Sequence, residues 1–596
     1  MHLFSSWSST SAQKQIQNSR LSTFFNWCIA HQKLVLGLLS AAWVLVLYWN
    51  ALAAPFVYDD LDQIVKNPEL ASFHDTFRLF FLAPSAFTSH FRGVGGSNYR
   101  PLFWLSLSID RHIWGLHGAG GFHFTSIFLH WADGFLFFLF LRRVGVRFTI
   151  AASAVLIWLG LPINTEAVAW VSGRPYVLCG LFLLLALLSA HSYFVREKTS
   201  SLIAVLVASL AALLSHEAGV LFLPLVALLA YGMGRVAKRP AWILLAVVVG
   251  SDLIFLLSRL LVGTRAGSGG PSPWAIGRAF WMYCLWMLAP VHMSMQRATS
   301  MPPNVPSSSS IAALCAVVAL CGAIFMIRKT APILAAGLAW STMAILPFCG
   351  IVFIYQGMAE RYDYLASAGL ALAISAFVCQ YSGVLKGALV CLMALWIGWG
   401  AWRLKMRVLD WCDPVALYES SLEATPDAML FYDLGWAWRE RGDNAKALTE
   451  YQEAVRRQPD YEEAHASIGQ IFSMLGQPAQ AIPAYNRALA LIPRDSDTRV
   501  DFAVTLEQLG DKEAAEREFR KALEFTPKNI SALNDLGSLL ILEGKLDEAI
   551  PYFEQAIQAN PLDKNAYYSL GGISQQRGQV DKALTYYRKV LQIDPS

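Results

Sequence analysis

Two adjacent carboxylates, Asp59 and Asp60, follow the first long apolar run of the chain in Ala54-Pro55-Phe56-Val57-Tyr58-Asp59-Asp60. That run, roughly Leu34 to Trp49, has the length a helix needs to cross a bilayer. The pair therefore stands where water meets lipid, and charge is costly there unless it is used or paired. A base that takes the proton of a hydroxyl beside a lipid-borne substrate belongs at such a position. Other polar groups punctuate the apolar half: Arg100, His123, His130, Glu166, Arg174, and Glu360 with Arg361. Arginine suits a phosphate because its fork of donors stays charged even when partly buried. Each group also has a plainer reading. Asp59, Asp60 and Glu166 read equally as solvated loop acids, Arg174 as a snorkelling side chain, Arg100 as an interfacial anchor and Glu360-Arg361 as a local ion pair. His123 and His130, seven residues apart, share a helical face as packing histidines do, and metal ligation by the two is the less favoured reading. His216-Glu217 reads as a turn-stabilising pair.

The elements that must position these groups are helices in a membrane. The chain has 596 residues, 55% of them hydrophobic, and a mean hydropathy of +0.41, too apolar for an ordinary soluble protein. A net charge of +4, dispersed along the chain, argues against a nucleic-acid partner. The nine cysteines form no CxxC pair and read as small apolar residues. Residues 1–33 read as a polar cytoplasmic segment without a cleavable signal, so the first run is expected to be a retained anchor. About eleven spans are expected, at 34–50, 122–141, 148–162, 176–193, 200–214, 217–231, 241–262, 310–327, 332–349, 364–381 and 384–402. Arg142-Arg143, Arg196 with Lys198, Arg235 with Lys238-Arg239, and Arg328-Lys329 place one set of loops in the cytoplasm. The long loop 51–121 and the loops 162–175 and 350–363 then share the other side. The segment 277–290 is expected to be re-entrant or interfacial. Within loop 51–121, residues 99–107 read as a helix lying in the interface. No charged residue stands out at mid-span and the spans show no internal repeat, which argues against a transporter.

After residues 403–427, expected to be a linker with a degenerate repeat, the composition turns polar. Pro459, Pro493, Pro527, Pro561 and Pro595 recur every 34 residues. In register run Ala447, Ala481, Ala515, Ala549 and Ala583, and the aromatics Tyr451, Tyr485, Phe519, Phe553 and Tyr587. Gly435, Gly469, Gly537 and Gly571 share a further position, with Ala503 in the third unit. Small residues permit close helix crossing, aromatics fill the gap between paired helices, and proline ends the second helix. Residues 428–596 are thus five tetratricopeptide repeats, an array suited to binding a protein partner.

The motifs, in order, are the acidic pair, Tyr99-Arg100-Pro101-Leu102, Phe122-His123, Leu129-His130, Thr165-Glu166-Ala167-Val168 with Gly173-Arg174, and Ala359-Glu360-Arg361-Tyr362. Followed by tetratricopeptide repeats, this series resembles the transmembrane and tetratricopeptide-repeat-containing protein O-mannosyltransferases, which are GT-C-type glycosyltransferases, in a bacterial version. The resemblance implies an all-α fold, with a GT-C-like domain at 34–402, and transfer of a sugar, mannose or another hexose, from a polyprenyl-phosphate carrier. The acceptor would be a Ser/Thr hydroxyl of a protein recruited by the repeats, on the non-cytoplasmic face. It further implies a bacterial inner membrane with periplasmic repeats, or an endoplasmic reticulum membrane with lumenal repeats in a eukaryote. Asp59 is expected to act as base, with Asp60 orienting the acceptor or a metal, the order being reversible. Arg174 and Arg361, then Arg100, are the expected phosphate ligands, and His123, His130, Glu166 and Glu360 line the substrate site. No cofactor is certain, and a divalent metal is left open. Asp363, where a hydrophobic residue is typical, and Pro175 depart from the family pattern. The alternative is a non-catalytic membrane-anchored scaffold whose repeats assemble an envelope complex.

Overall fold

The computed structural model describes residues 31–78, 99–262, 273–291, 293–295, 305–349 and 358–594. The polar segment before His31, Ser97-Asn98, residues 350–357 and Pro595 lie outside the described residues. The described chain is helical throughout, without a β-strand, and divides into two units, Met1–Thr425 and Pro426–Ser596.

In the first unit, helical segments occupy all eleven expected span positions. Seven are long and apolar enough to cross a membrane singly: Gln32–Ala53, Gly120–Arg143, Val171–Arg196, Arg239–Leu261, Ser308–Ile327, Glu360–Cys379 and Gly383–Asp410. An eighth is broken, with Phe148–Leu159 and Pro162–Ala169 bent by 55°. The bend falls where Gly160 ends one helix and Pro162, which lacks an amide hydrogen, opens the next. The remaining three, Thr199–Ser215, Glu217–Gly232 and Pro332–Phe348, are shorter apolar helices. Pro273–Leu288 has 16 residues, fewer than a full crossing needs. Pro175 sits in the first turn of Arg174–Arg196, where a missing amide hydrogen costs nothing.

Residues 403–427 are not a linker. Arg403 to Arg407 continue the Gly383–Asp410 helix. Pro414–Ala424, capped by Asp413, belongs to the first unit, where Ser421 Oγ accepts the Met295 amide at 3.3 Å.

The second unit is five helix pairs, from Ala428–Glu440 with Asn444–Arg457 to Lys564–Gln576 with Val580–Ile593. Asp427, Asp443, Asp495, Asp511, Asn529 and Asp563 cap helix N-termini through their side-chain oxygens. The shared small position is where the paired helices touch: a Cβ on Gly469 would stand 2.8 Å from the Tyr485 ring. A second glycine series, Gly442, Gly476, Gly510, Gly544 and Gly578, turns the chain between paired helices with φ of 70 to 83°. Gly469→Ala should lower the stability of the repeats by roughly 1–3 kcal/mol through overpacking. Calorimetric unfolding of the full chain, followed at the repeat transition, checks this, and an unchanged transition would contradict the packing described.

Candidate functional site

Beyond Ala53 the chain extends through Pro55 and turns at Tyr58, whose φ of 53° is unusual for a bulky residue. The turn sends the two acids in different directions. Asp60 is fully buried. Its Oδ1 accepts the amide of Ser172 at 2.8 Å and the Ser172 hydroxyl at 2.5 Å, and its Oδ2 accepts the Val57 amide at 3.4 Å. Asp59 is half-buried, and its Oδ2 accepts one bond, from Gln63 Nε2 at 3.3 Å. Burial, then the neighbouring charge of Asp60, raises the Asp59 carboxyl to about 7 against the pull of Arg361. Burial raises Asp60 to about 6, opposed by the Ser172 bonds and by Arg174.

The broken span supplies the facing wall. Pro162–Asn164 and Thr165–Ala169 are short helical turns, Trp170 is extended, and Val171–Gly173 leads into the Arg174–Arg196 helix. Gly173 is required here, because a Cβ on it would stand 2.4 Å from the Glu166 carbonyl. Glu166 is fully buried: its Oε2 accepts the Arg361 amide at 2.9 Å and its Oε1 pairs with the Arg361 guanidinium. Arg361 rides on the Glu360–Asp363 turn, with its Cζ 5.4 Å from the Trp170 ring and 5.2 Å from the Tyr362 ring. Asp59, Asp60, Glu166 and Arg361 are thus gathered at one end of the spans.

The other expected residues are placed as follows. Arg174 has none of its side chain exposed: Nη2 is 2.6 Å from Asp110 Oδ2 and donates to Phe122 O, Nε donates to Ser126 and Nη1 to Ser106. It is committed to packing two helices together, rather than facing a phosphate or snorkelling. Glu360 Oε1 accepts the Ser294 amide at 2.5 Å. Arg100 pairs with Glu217 at 3.0 Å at the start of Pro101–Trp114, a helix that buries Phe103, Leu107 and Asp110. His216 caps the turn at 216–218 by accepting the Ala218 amide at 2.9 Å. Burial, with Arg100 and Arg361 nearby, holds His216 well below the usual histidine range. His123 is buried beside the backbones of Pro55 and Ala169. His130 lies deeper, its Nδ1 2.9 Å from Tyr364 Oη. Although these histidines share a helical face, they have different partners, and the described residues contain no group of three His, Cys, Asp or Glu side chains placed to hold a metal.

Tetratricopeptide-repeat family models match residues 435–476, 472–538 and 534–596. A protein O-mannosyl-transferase of Caenorhabditis elegans is 25% identical over 447 residues, covering 70% of this chain and 62% of that protein. Its relatives are protein O-mannosyl-transferases. Human protein O-mannosyl-transferase TMTC4 is 26% identical over 496 residues, covering 70% of this chain and 65% of its own. Mouse TMTC2 is 34% identical over 157 residues, 26% of this chain and 18% of that protein. The chain thus spans less than two thirds of each of these relatives. The crystal structure of MamA aligns with 27% of this chain and 95% of its own, at 23% identity and a TM-score of 0.25. With the apolar helices described above, the likeness is to a multi-pass membrane protein carrying tetratricopeptide repeats.

Sequence reasoning passed over Asp110, Ser172, Tyr364 and above all Asp133. Asp133 is fully buried ten residues before the end of Gly120–Arg143, so a charged residue type does stand at mid-span. An acid in an apolar run was the signal that pointed to it.

Both raised carboxyls bind protons more tightly in the folded state than in the unfolded state. Folding stability from these groups therefore falls as pH rises from about 4 toward about 7, between the unfolded and folded values. Asp59→Asn is expected to melt above the parent chain at pH 8, the gap narrowing toward pH 4. Thermal unfolding across that range checks the sign, and a gap that widens in acid would contradict the burial of Asp59.

Proposed function

We propose that the protein is an integral-membrane glycosyltransferase that moves mannose, or another hexose, from a polyprenyl-phosphate carrier to a Ser/Thr hydroxyl of a protein. The observation that carries this reading is a half-buried carboxyl, Asp59, poised near neutral pH within the field of Arg361 at the end of the spans. A base of that strength is about half ionised at pH 7 and suits proton abstraction from a hydroxyl. In the proposed step Asp59 takes the acceptor proton as the oxygen attacks C1 of the sugar. The bond from C1 to the phosphate oxygen breaks and its electron pair leaves with the phosphate. One displacement inverts C1 and uses one catalytic carboxylate. Arg361, held by Glu166 and flanked by Trp170, is the group for the leaving phosphate, with Arg100 second. Asp60, saturated by Ser172 and Val57, positions Asp59 rather than acting as the base.

The order of charges along the helices supports the sidedness. His123 and Arg174 lie in the first turns of helices whose far ends carry Arg142-Arg143 and Arg196, roughly 30 Å away at 1.5 Å per residue. Cations at those far ends favour the cytoplasm, which assigns the acids to the opposite face and, in a bacterial inner membrane, to the periplasm. The repeats, modules that bind proteins, are assigned recruitment of the acceptor.

Asp59→Asn should reduce transfer from polyprenyl-phosphate mannose to a Ser/Thr peptide by roughly 10²- to 10⁴-fold. Parent activity should rise with pH through about 7, as Asp59 loses its proton. Retention of parent activity by Asp59→Asn, in an assay on membranes with confirmed insertion, would refute the assignment. Arg361→Gln should instead raise KM for the donor.

A further inference from the structure

Tyr364 follows directly on the turn that carries Arg361 and opens the Tyr364–Cys379 helix. Its hydroxyl donates to Asp133 Oδ2 at 2.7 Å and lies 2.9 Å from His130 Nδ1, so two side chains of Gly120–Arg143 grip the first residue of the later helix. His130 Nε2 is 3.4 Å from the Leu159 carbonyl at the end of the first limb of the broken span. The same helix start is gripped from a second direction. Trp158 Nε1 donates to the Tyr364 carbonyl at 3.1 Å and to Ser367 Oγ at 3.1 Å, and Ser367 Oγ donates to Asn164 Oδ1 at 3.0 Å. Asn164 Nδ2 in turn donates to the Trp158 carbonyl at 2.7 Å. Asn164 lies two residues before Glu166, and Tyr364 three after Arg361. The polar cluster therefore ties together the two backbones that bring the Glu166–Arg361 pair into contact.

Asp133, His130, Tyr364 and Asn164 are all fully buried. Asp133 lies near the middle of its helix, roughly 15 Å from the Arg143 end and roughly 20 Å from the Gly120 end. Polar groups at such depth are expensive and persist where they bond to one another. Room for the cluster comes from a third helix. A Cβ on Gly180 would stand 2.8 Å from Asp133 Oδ2 and 3.1 Å from the Tyr364 ring. A larger residue at 180 would push the carboxyl and the phenol apart.

We propose that Asp133, Tyr364 and Gly180 form a buried polar pin that sets the position of Arg361, making Asp133 and Tyr364 positioning residues for the carrier-phosphate site. That Arg361 meets the phosphate rests on the function proposed above; that the pin holds Arg361 against Glu166 does not. Without Tyr364 Oη, Asp133 and His130 lose their grip on the helix start, and the Glu360–Asp363 turn gains freedom.

Two measurements on the full chain in lipid nanodiscs test this. The first is hydrogen exchange of residues 358–363, where the Arg361 amide is bonded to Glu166. Tyr364→Phe and Gly180→Ala are expected to speed exchange about tenfold there and to leave the distant Ser308–Ile327 helix unchanged. Asp133→Asn, which keeps an acceptor for the phenol, is expected to stay within about twofold of the parent, while Asp133→Ala follows Tyr364→Phe. The second is transfer from undecaprenyl-phosphate mannose, in which Tyr364→Phe should raise the donor KM about tenfold with little change in kcat. Unchanged exchange at 358–363 in Tyr364→Phe, or an Asp133→Asn variant as perturbed as Asp133→Ala, would overturn the pin. Tyr364→Phe conserves volume, so it decides the matter should Asp133→Ala fail to fold. Faster exchange in Tyr364→Phe, with donor KM unmoved in both that variant and Arg361→Gln, would uphold the pin and overturn Arg361 as the phosphate ligand.

Discussion

A carboxyl group with no exposed surface closes one end of the membrane unit. Asp60 receives the amide and hydroxyl of Ser172, 112 residues further along the chain, and fastens the segment after the first span onto the turn that starts the Arg174–Arg196 helix. A buried carboxyl without such donors would be heavily penalised, so the segment has few alternatives to this path. The left-handed turn at Tyr58 follows from the same constraint. With Asp60 turned inward, Asp59 is the neighbour left half-buried and lightly bonded. Two residues of identical chemistry thus acquire different capacities from the direction in which the backbone delivers them.

The arginines show the same division of roles. Three of them, Arg174, Arg361 and Arg100, are each paired with an acid, and their side-chain exposure rises from 0% through 8% to 20%. Removing a guanidinium from water is tolerable only with a partner and further hydrogen bonds. Arg174, the most enclosed, has the most complete set, with a carboxylate, two hydroxyls and a carbonyl around it. Arg361 keeps aromatic faces on two sides and one acid. That arrangement orients the fork.

The periodic features were legible in the chain and the pairings were not. Each repeat solves the same packing problem, so proline, alanine and aromatic residues recur at one spacing and declare the array. The apolar runs declare themselves by composition, and helices occupy the eleven expected positions, seven of them long enough to cross a membrane singly. The contacts at the site join residues 195 apart in Glu166–Arg361 and 117 apart in Arg100–Glu217, and nothing local in the chain signals them. Arg361 finds its acid far along the chain, at Glu166, and successive residues of a helical turn face different directions. Glu360 accordingly reaches Ser294. Arg174 reads in the sequence as a phosphate ligand or a snorkelling side chain, yet every residue from Leu161 to Leu178 is buried and its guanidinium is held by Asp110, Ser106, Ser126 and Phe122. Asp133 escaped notice because one acid barely lowers the apolar character of a 24-residue helix.

On the proposed reading, a carrier phosphate entering this site meets Arg361 already compensated by Glu166, and it meets Asp59 close by. Its negative charge would favour the protonated form of Asp59, by the same Coulombic effect that Asp60 exerts. Donor binding and base ionisation are then opposed in the resting complex. The opposition is eased as the acceptor arrives, since its hydroxyl offers a hydrogen bond to the ionised form of Asp59 and favours that form. It is removed in the reaction itself, when Asp59 takes up the acceptor proton as negative charge gathers on the departing phosphate. A base tuned near neutrality suits that sequence, because an acid of ordinary strength would repel the donor at every working pH and would be too weak to draw a proton from a hydroxyl.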